Sequence, residues 1–253
     1  MRNIRRVFTV GLILGAGLSA AHGAIGAPRE ETIAVTPKPT DTAIVGLEVA
    51  LSKAAPTLRP QALHAALSAW ESLVLRGQAI RAVLTVIDYS LPSTSRRMWV
   101  FDLASQKLLF HELVSHGRNS GEDMAEFFSN EEGTLMTSLG AFVTGTTYTG
   151  KNGYSLRLRG MDPGINDQAA ARTIVVHGAP YVSEDFAHRV GRLGRSHGCP
   201  AVRTEIAREL IDLVKEQSLL YAWHPSLDSP EPPPDIASTT AHPPTRPSLQ
   251  PAP

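Results

Sequence analysis

The sequence predicts a mainly β domain, built as a sandwich or barrel, with a helical segment ahead of it and one further helix near its end. Three observations carry this reading. From residue 82 onward, short runs rich in Val, Leu, Ile and aromatic residues replace helical spacing. Glycines then recur at Gly133, Gly140, Gly145, Gly150, Gly153, Gly160 and Gly164, a spacing that suits short strands joined by tight turns. Two stretches, starting at Pro60 and Thr204, carry their apolar residues on one helical face.

In chain order, Arg2, Arg5 and Arg6 come first, followed by an apolar stretch from Val7 to Ala21 and the small residues Ala21, Gly23, Ala24 and Gly26. This order reads as a signal peptide over residues 1–26, and so as an exported, periplasmic or cell-wall associated protein. The apolar stretch is shorter than the roughly 18 residues of a spanning helix, so no stable transmembrane span is expected. Residues 27–59 open with a polar, proline-containing stretch and read as a linker. A helical segment occupies 60–81, with Leu63, Leu67, Trp70 and Val74 on one face and Gly77 as its stop.

Residues 82–89, 97–103 and 107–115 read as strands, with turns at Pro92–Ser95 and Ala104–Gln106. Thr173–Val176 is a brief β-branched strand that delivers His177 at its end. Thr204 is placed to cap a helix whose inward stripe is Ile206, Leu210, Leu213 and Val214. Leu219–Trp223 reads as a last strand, so the domain runs from 82 to 224. Residues 225–253 are rich in Pro, Ser and Thr, cannot bury enough apolar surface to fold, and read as a disordered tail.

Lys plus Arg and Asp plus Glu number 24 each, a balance that speaks against a nucleic-acid partner. Cys199 is the single cysteine. In an exported chain a lone cysteine has no internal disulfide partner, and is a reactive thiol, an intermolecular bridge or a small buried hydrophobe. Its surroundings favour reactivity. His197 lies two residues before it, close enough to favour a thiolate. Gly198 permits a tight bend that brings amide N–H groups near the sulfur, where an oxyanion could be held. His177, beside the flexible Gly178, is suited to act as a general base.

His177-Gly178, then residues 179–195, then Ser196-His197-Gly198-Cys199 resembles the signature of the L,D-transpeptidase (YkuD-like) catalytic domain. Ser115-His116-Gly117, Ser129-Asn130, Ser138-Leu139-Gly140 and Gly160-Met161-Asp162 are similar to a divergent murein L,D-transpeptidase branch. The family pattern follows its cysteine with an apolar residue and then Asn or Arg. Here Pro200 and Ala201 follow; the first arginine is Arg203, which could substitute for the family's residue but reads more readily as an exposed residue at the start of a helix.

The resemblance implies a β-rich domain acting on peptidoglycan stem peptides, with Cys199 as nucleophile, His177 as its base and the Gly178 carbonyl orienting His177. It implies that Ser196 and His197 shape the pocket and that amides around Gly198 and Cys199 hold the oxyanion. The products would be 3→3 cross-links with release of D-alanine, formed without a metal or organic cofactor. It also implies a carbapenem adduct at Cys199. Hydrolysis, as an L,D-carboxypeptidase or amidase, stays open, because acceptor choice depends on cleft shape. A metal- or wall-binding module is the competing class. The two-residue spacing of His197 and Cys199 does not match common zinc sites.

His116 could line the cleft or merely sit in a loop, and Tyr154 could bound the cleft or pack. Arg157 and Arg159 share one strand face. Asn166, Arg172 and Tyr181 carry no individual assignment, and His188 reads as a surface residue.

Overall fold

Residues 41–228 are described by the computed structural model, with side chains from Ile44 onward. The expected signal peptide, the first part of the linker and tail residues 229–253 lie outside the described residues. Two helices come first, α1 (Asp41–Ala54) and α2 (Pro60–Leu75). Five strands follow: β1 (Val83–Asp88), β2 (Met98–Asp102), β3 (Lys107–Glu112), β4 (Gly140–Gly150) and β5 (Gly153–Gly160). Then come β6 (Val175–Gly178), α3 (Glu184–Val190), β7 (Ala201–Val202), α4 (Thr204–Val214) and β8 (Leu219–Trp223).

The strands form one eight-stranded sheet in the order β3-β2-β1-β8-β4-β5-β6-β7. The last strand in the chain lies in the middle of the sheet, parallel to β1 and antiparallel to β4. The two ends of the sheet approach each other. Val114, just beyond β3, bridges Val202 of β7, and Ser115 N–H donates to Ala201 O at 2.9 Å. The result is a nearly closed, barrel-like sheet, as the mainly β reading expects.

Strand periodicity divides the core between two faces. Leu84, Val86, Trp99, Phe101, Ala141, Val143 and Leu219 meet Leu51, Leu63, Leu67 and Trp70 of α1 and α2. Ile87, Met98, Val100, Phe142, Leu156, Val176 and Leu220 meet Leu210, Ile211 and Val214 of α4 on the other face. Because both faces are covered, β1 is buried at every position and shows no polar alternation.

Several boundaries differ from the sequence expectation. Residues 41–54, within the expected linker, are helical. Leu47 and Leu51, one helical turn apart, bury themselves, and Ala55 and Leu58 continue the contact with α2. On α2, Leu73 takes the inward place expected of Val74, which is only partly buried. Thr204 is the first helical residue of α4, whose N-cap is Arg203, without a side-chain cap. The inward stripe of α4 is Ala207, Leu210, Ile211 and Val214, with Ile206 and Leu213 at its margins. The start of the tail, Pro225–Leu227, is a short 3-10 turn, and Leu227 packs against the core.

Candidate active site

The β6 strand begins two residues later than its sequence suggests, so His177 lies inside it and not at its end. Ser155 is its partner on β5 and Ala201 its parallel partner on β7. That register puts Cys199, two residues before Ala201, level with Val175. The preceding turn is unusual. Thr173 has φ +54°, in a region costly for a β-branched residue, and its carbonyl oxygen lies 3.8 Å from the Cys199 sulfur.

His177 is almost fully buried, and its Nδ1 lies 3.0 Å from the Gly178 carbonyl oxygen. A carbonyl only accepts, so Nδ1 carries the hydrogen and Nε2 keeps its lone pair. Burial holds the imidazole below its usual pKa, with the Gly178 bond opposing. Glycine is required at 178, since a Cβ there would lie 2.8 Å from the Ala207 Cβ and 3.2 Å from the Thr204 Cα of α4.

Cys199 is also buried, and desolvation pushes its thiol above the usual value. The Val175 N–H and the Arg172 guanidinium act in the opposite direction. At neutral pH the resting groups are therefore a neutral thiol and a neutral imidazole.

Ser196 shapes the turn that carries Cys199. Its hydroxyl accepts from Gly198 N–H at 3.1 Å and donates to Cys199 O at 2.6 Å. Gly198 has φ +113°, a conformation suited to glycine, and a Cβ there would lie 2.6 Å from Met136 O. His197 is exposed. The groups that favour the thiolate are Val175 and Arg172, in place of the local influence expected of His197.

Behind this turn lies a buried polar cluster. His116 is fully buried; its Nδ1 accepts from Arg97 Nη2 at 2.7 Å, and its Nε2 faces Gly121 O at 3.3 Å. Its backbone carbonyl accepts from Ser196 N–H at 3.0 Å. Arg97, likewise fully buried, donates to Val114 O and Leu91 O and stacks over the Tyr89 ring at 5.0 Å. Burial together with the Arg97 charge pushes His116 down to about 4, and burial brings Arg97 down to about 10. His116 therefore acts through Ser196 and does not face the cleft.

In front of the turn, Arg172 donates to Ser129 O, Ser138 Oγ and Met136 O at 2.5, 2.5 and 2.6 Å. A surface groove beside the turn is lined by Arg118, Glu122, Met124, Phe127 and Arg195.

Other expectations resolve differently. Arg203 is not a free surface residue, for it forms a two-pronged pair with the buried Glu112 at 2.9 and 2.6 Å. Tyr154 packs, donating to Asp212 Oδ1 at 2.6 Å under the Arg208 guanidinium. Arg157 and Arg159 are both exposed, and Arg157 lies over the Tyr148 ring. Asn166 is buried and holds Leu139 O, Ala141 O and Asp162 N–H together. His188 is exposed on α3. Among the described residues, no group of three or more His, Cys, Asp or Glu side chains could hold a metal ion. No described helix is long and apolar enough to cross a membrane.

Sequence reasoning missed the roles of Arg97 and Arg172. An arginine beside the apolar run Met98–Phe101 was the one available signal for Arg97; Arg172 follows three alanines and has none.

The family model of the L,D-transpeptidase catalytic domain matches residues 54–223, well over half of the chain. The chain belongs to this family. Among curated proteins, none matches the sequence. Solved structures with similarity include an L,D-transpeptidase from Mycobacterium smegmatis, 16% identical over 56% of this chain and 59% of that one, with a TM-score of 0.35. L,D-transpeptidase 3 from Mycobacterium tuberculosis is 15% identical over 56% of this chain and 61% of that one, with a TM-score of 0.36. The Enterococcus faecium L,D-transpeptidase is 13% identical over 66% of this chain and 65% of that one, with a TM-score of 0.32. The chain spans about three fifths of the length of these structures.

Proposed function

We propose that this protein is a cysteine-dependent peptidoglycan L,D-transpeptidase that makes 3→3 cross-links between tetrapeptide stems in an extracytoplasmic compartment. The observation that supports the reading is a buried thiol at the entry to β7, level with Val175 and so two residues along β6 from His177, whose Nδ1 hydrogen is held by Gly178 O.

In the proposed reaction, His177 Nε2 takes the proton from Cys199 Sγ as the sulfur attacks the carbonyl between the L-centre of a diamino acid and D-alanine. The carbonyl oxygen becomes an oxyanion. Gly198 N–H is already engaged by Ser196 Oγ, so the Cys199 N–H is the donor left to it in this turn. The C–N bond then breaks, His177 returns the proton to the departing amine of D-alanine, and a thioester remains. The side-chain amine of a second stem attacks the thioester and gives its proton to His177, and the thiol re-forms. General-base activation suits the two neutral resting groups better than a pre-formed ion pair. Because burial lowers the His177 pKa, the base stays unprotonated at pH values below the ordinary imidazole range.

The same sulfur would open a β-lactam ring. A carbapenem should therefore add its full mass to the intact protein, and mass spectrometry showing no adduct would count against an accessible nucleophile. The deciding experiment is incubation with purified tetrapeptide muropeptides followed by mass analysis. Cross-linked dimers support the proposal, tripeptides alone indicate hydrolysis, and unchanged substrate sinks both.

A further inference from the structure

We propose that Arg172 is a positioning residue for Cys199: one guanidinium ties the 129–138 loop onto the nucleophile turn and sets a positive charge beside the sulfur. This rests on the reading of Cys199 as the nucleophile.

The loop is closed at its base. Phe128 bridges Thr137, Ser129 N–H donates to Thr137 O at 3.0 Å, and Ser138 Oγ donates to Ser129 O at 2.9 Å. Arg172 enters at that base, where Nη1 donates to Ser129 O and Ser138 Oγ. Its other nitrogen, Nη2, reaches along the loop to Met136 O at 2.6 Å and Thr134 Oγ1 at 3.4 Å. A lysine is a single point donor and could not serve both directions, whereas the planar fork can.

Met136 O is also the atom that a Cβ on Gly198 would meet at 2.6 Å, and Arg172 Nη2 would lie 3.4 Å from that Cβ. Loop carbonyl, guanidinium and nucleophile turn are thus packed against one another. Every acceptor of Arg172 is neutral, and among the described residues no carboxylate forms an ion pair with it. Burial works against its charge, and the one group that favours it is Cys199 when its thiol ionises. A half-buried cation without a carboxylate, next to a thiol that must ionise, favours the charged sulfur by through-space attraction. Bonding to the loop holds that charge in place.

The test needs no peptidoglycan. The full chain is alkylated with iodoacetamide across a pH series, as wild type, Arg172→Gln and Arg172→Lys. In the Gln protein the midpoint should move up, slowing alkylation roughly tenfold at a fixed pH below it, which corresponds to about one pKa unit. In the Lys protein the midpoint should return toward wild type, while amide exchange across 130–136 becomes faster. An Arg172→Gln protein that melts like wild type yet keeps the wild-type pH profile overturns the proposal. Should the Gln protein fail to fold, the Lys protein decides: faster loop exchange with a retained midpoint supports the proposal, and unchanged loop exchange overturns it. A shifted profile in a protein that leaves muropeptides untouched would sink the substrate reading while this coupling stands.

Discussion

Two arginines flank the turn that carries Cys199, and they differ in almost every respect except their side chain. Arg97 is fully buried behind it, surrounded by backbone carbonyls, the Tyr89 ring and a neutral histidine. Arg172 stands in front, half-buried, and grips a loop. The rear arginine reaches Cys199 only through His116 and Ser196, so its effect on the sulfur is geometric. The front arginine acts on the sulfur by charge as well. The difference teaches that the same guanidinium fork serves architecture where solvent is absent, and reactivity where a titrating partner lies within reach.

The largest effect that sharpens this comparison is removal of the sulfur itself. Cys199→Ala should abolish muropeptide turnover while leaving the urea midpoint near wild type; retained turnover would remove the centre both arginines are said to serve. Next comes Arg97→Leu, which leaves His116 Nδ1 and the carbonyls of Val114 and Leu91 without their donor inside the core. Breaking a buried charged network of this kind typically costs about 3–5 kcal/mol, read in urea unfolding. If Arg97→Leu instead matched Arg172→Gln in stability, the assignment of architecture to the rear arginine would fail.

A pH effect separates the two sides further. In the folded protein His116 is held near 4, below its ordinary 6.5, so the unfolded chain binds this proton first as the pH falls. Folded stability is therefore complete above about 6.5 and is lost between about 6.5 and about 4, by an amount on the order of 3 kcal/mol. His116→Gln should flatten the melting temperature over that window, and an equally steep decline in the variant would assign the acid sensitivity elsewhere.

The legible parts of the site were those whose chemistry is local in the chain. A lone thiol, a histidine two residues before it and a glycine between them form one short string. His177 joins it through a recognisable strand and a repeated family spacing. Strand positions from 82 to 103 were legible because apolar runs mark them directly. The arginines were not, since the acceptors of Arg172 lie 34 to 43 residues away and no local pattern announces them. Helix α1 was hidden for the opposite reason. Its buried stripe is short and sits beside proline-containing sequence, so its helical character depends on packing against α2. Arg203 looked like an exposed helix start because its partner, Glu112, lies 91 residues earlier.

The position of β8 bears on how a newly made chain reaches its working form. Residues 219–223 follow every other described strand in the chain, yet they seal the seam between β1 and β4. Until they emerge, β1 and β4 each present an open edge. A chain truncated before Leu219 would contain Cys199, His177 and Ser196 and still lack the strand that joins β1 to β4. Assembly of the sheet around Cys199 is thereby tied to a segment made after it: the frame closes only when β8 has joined β1 and β4.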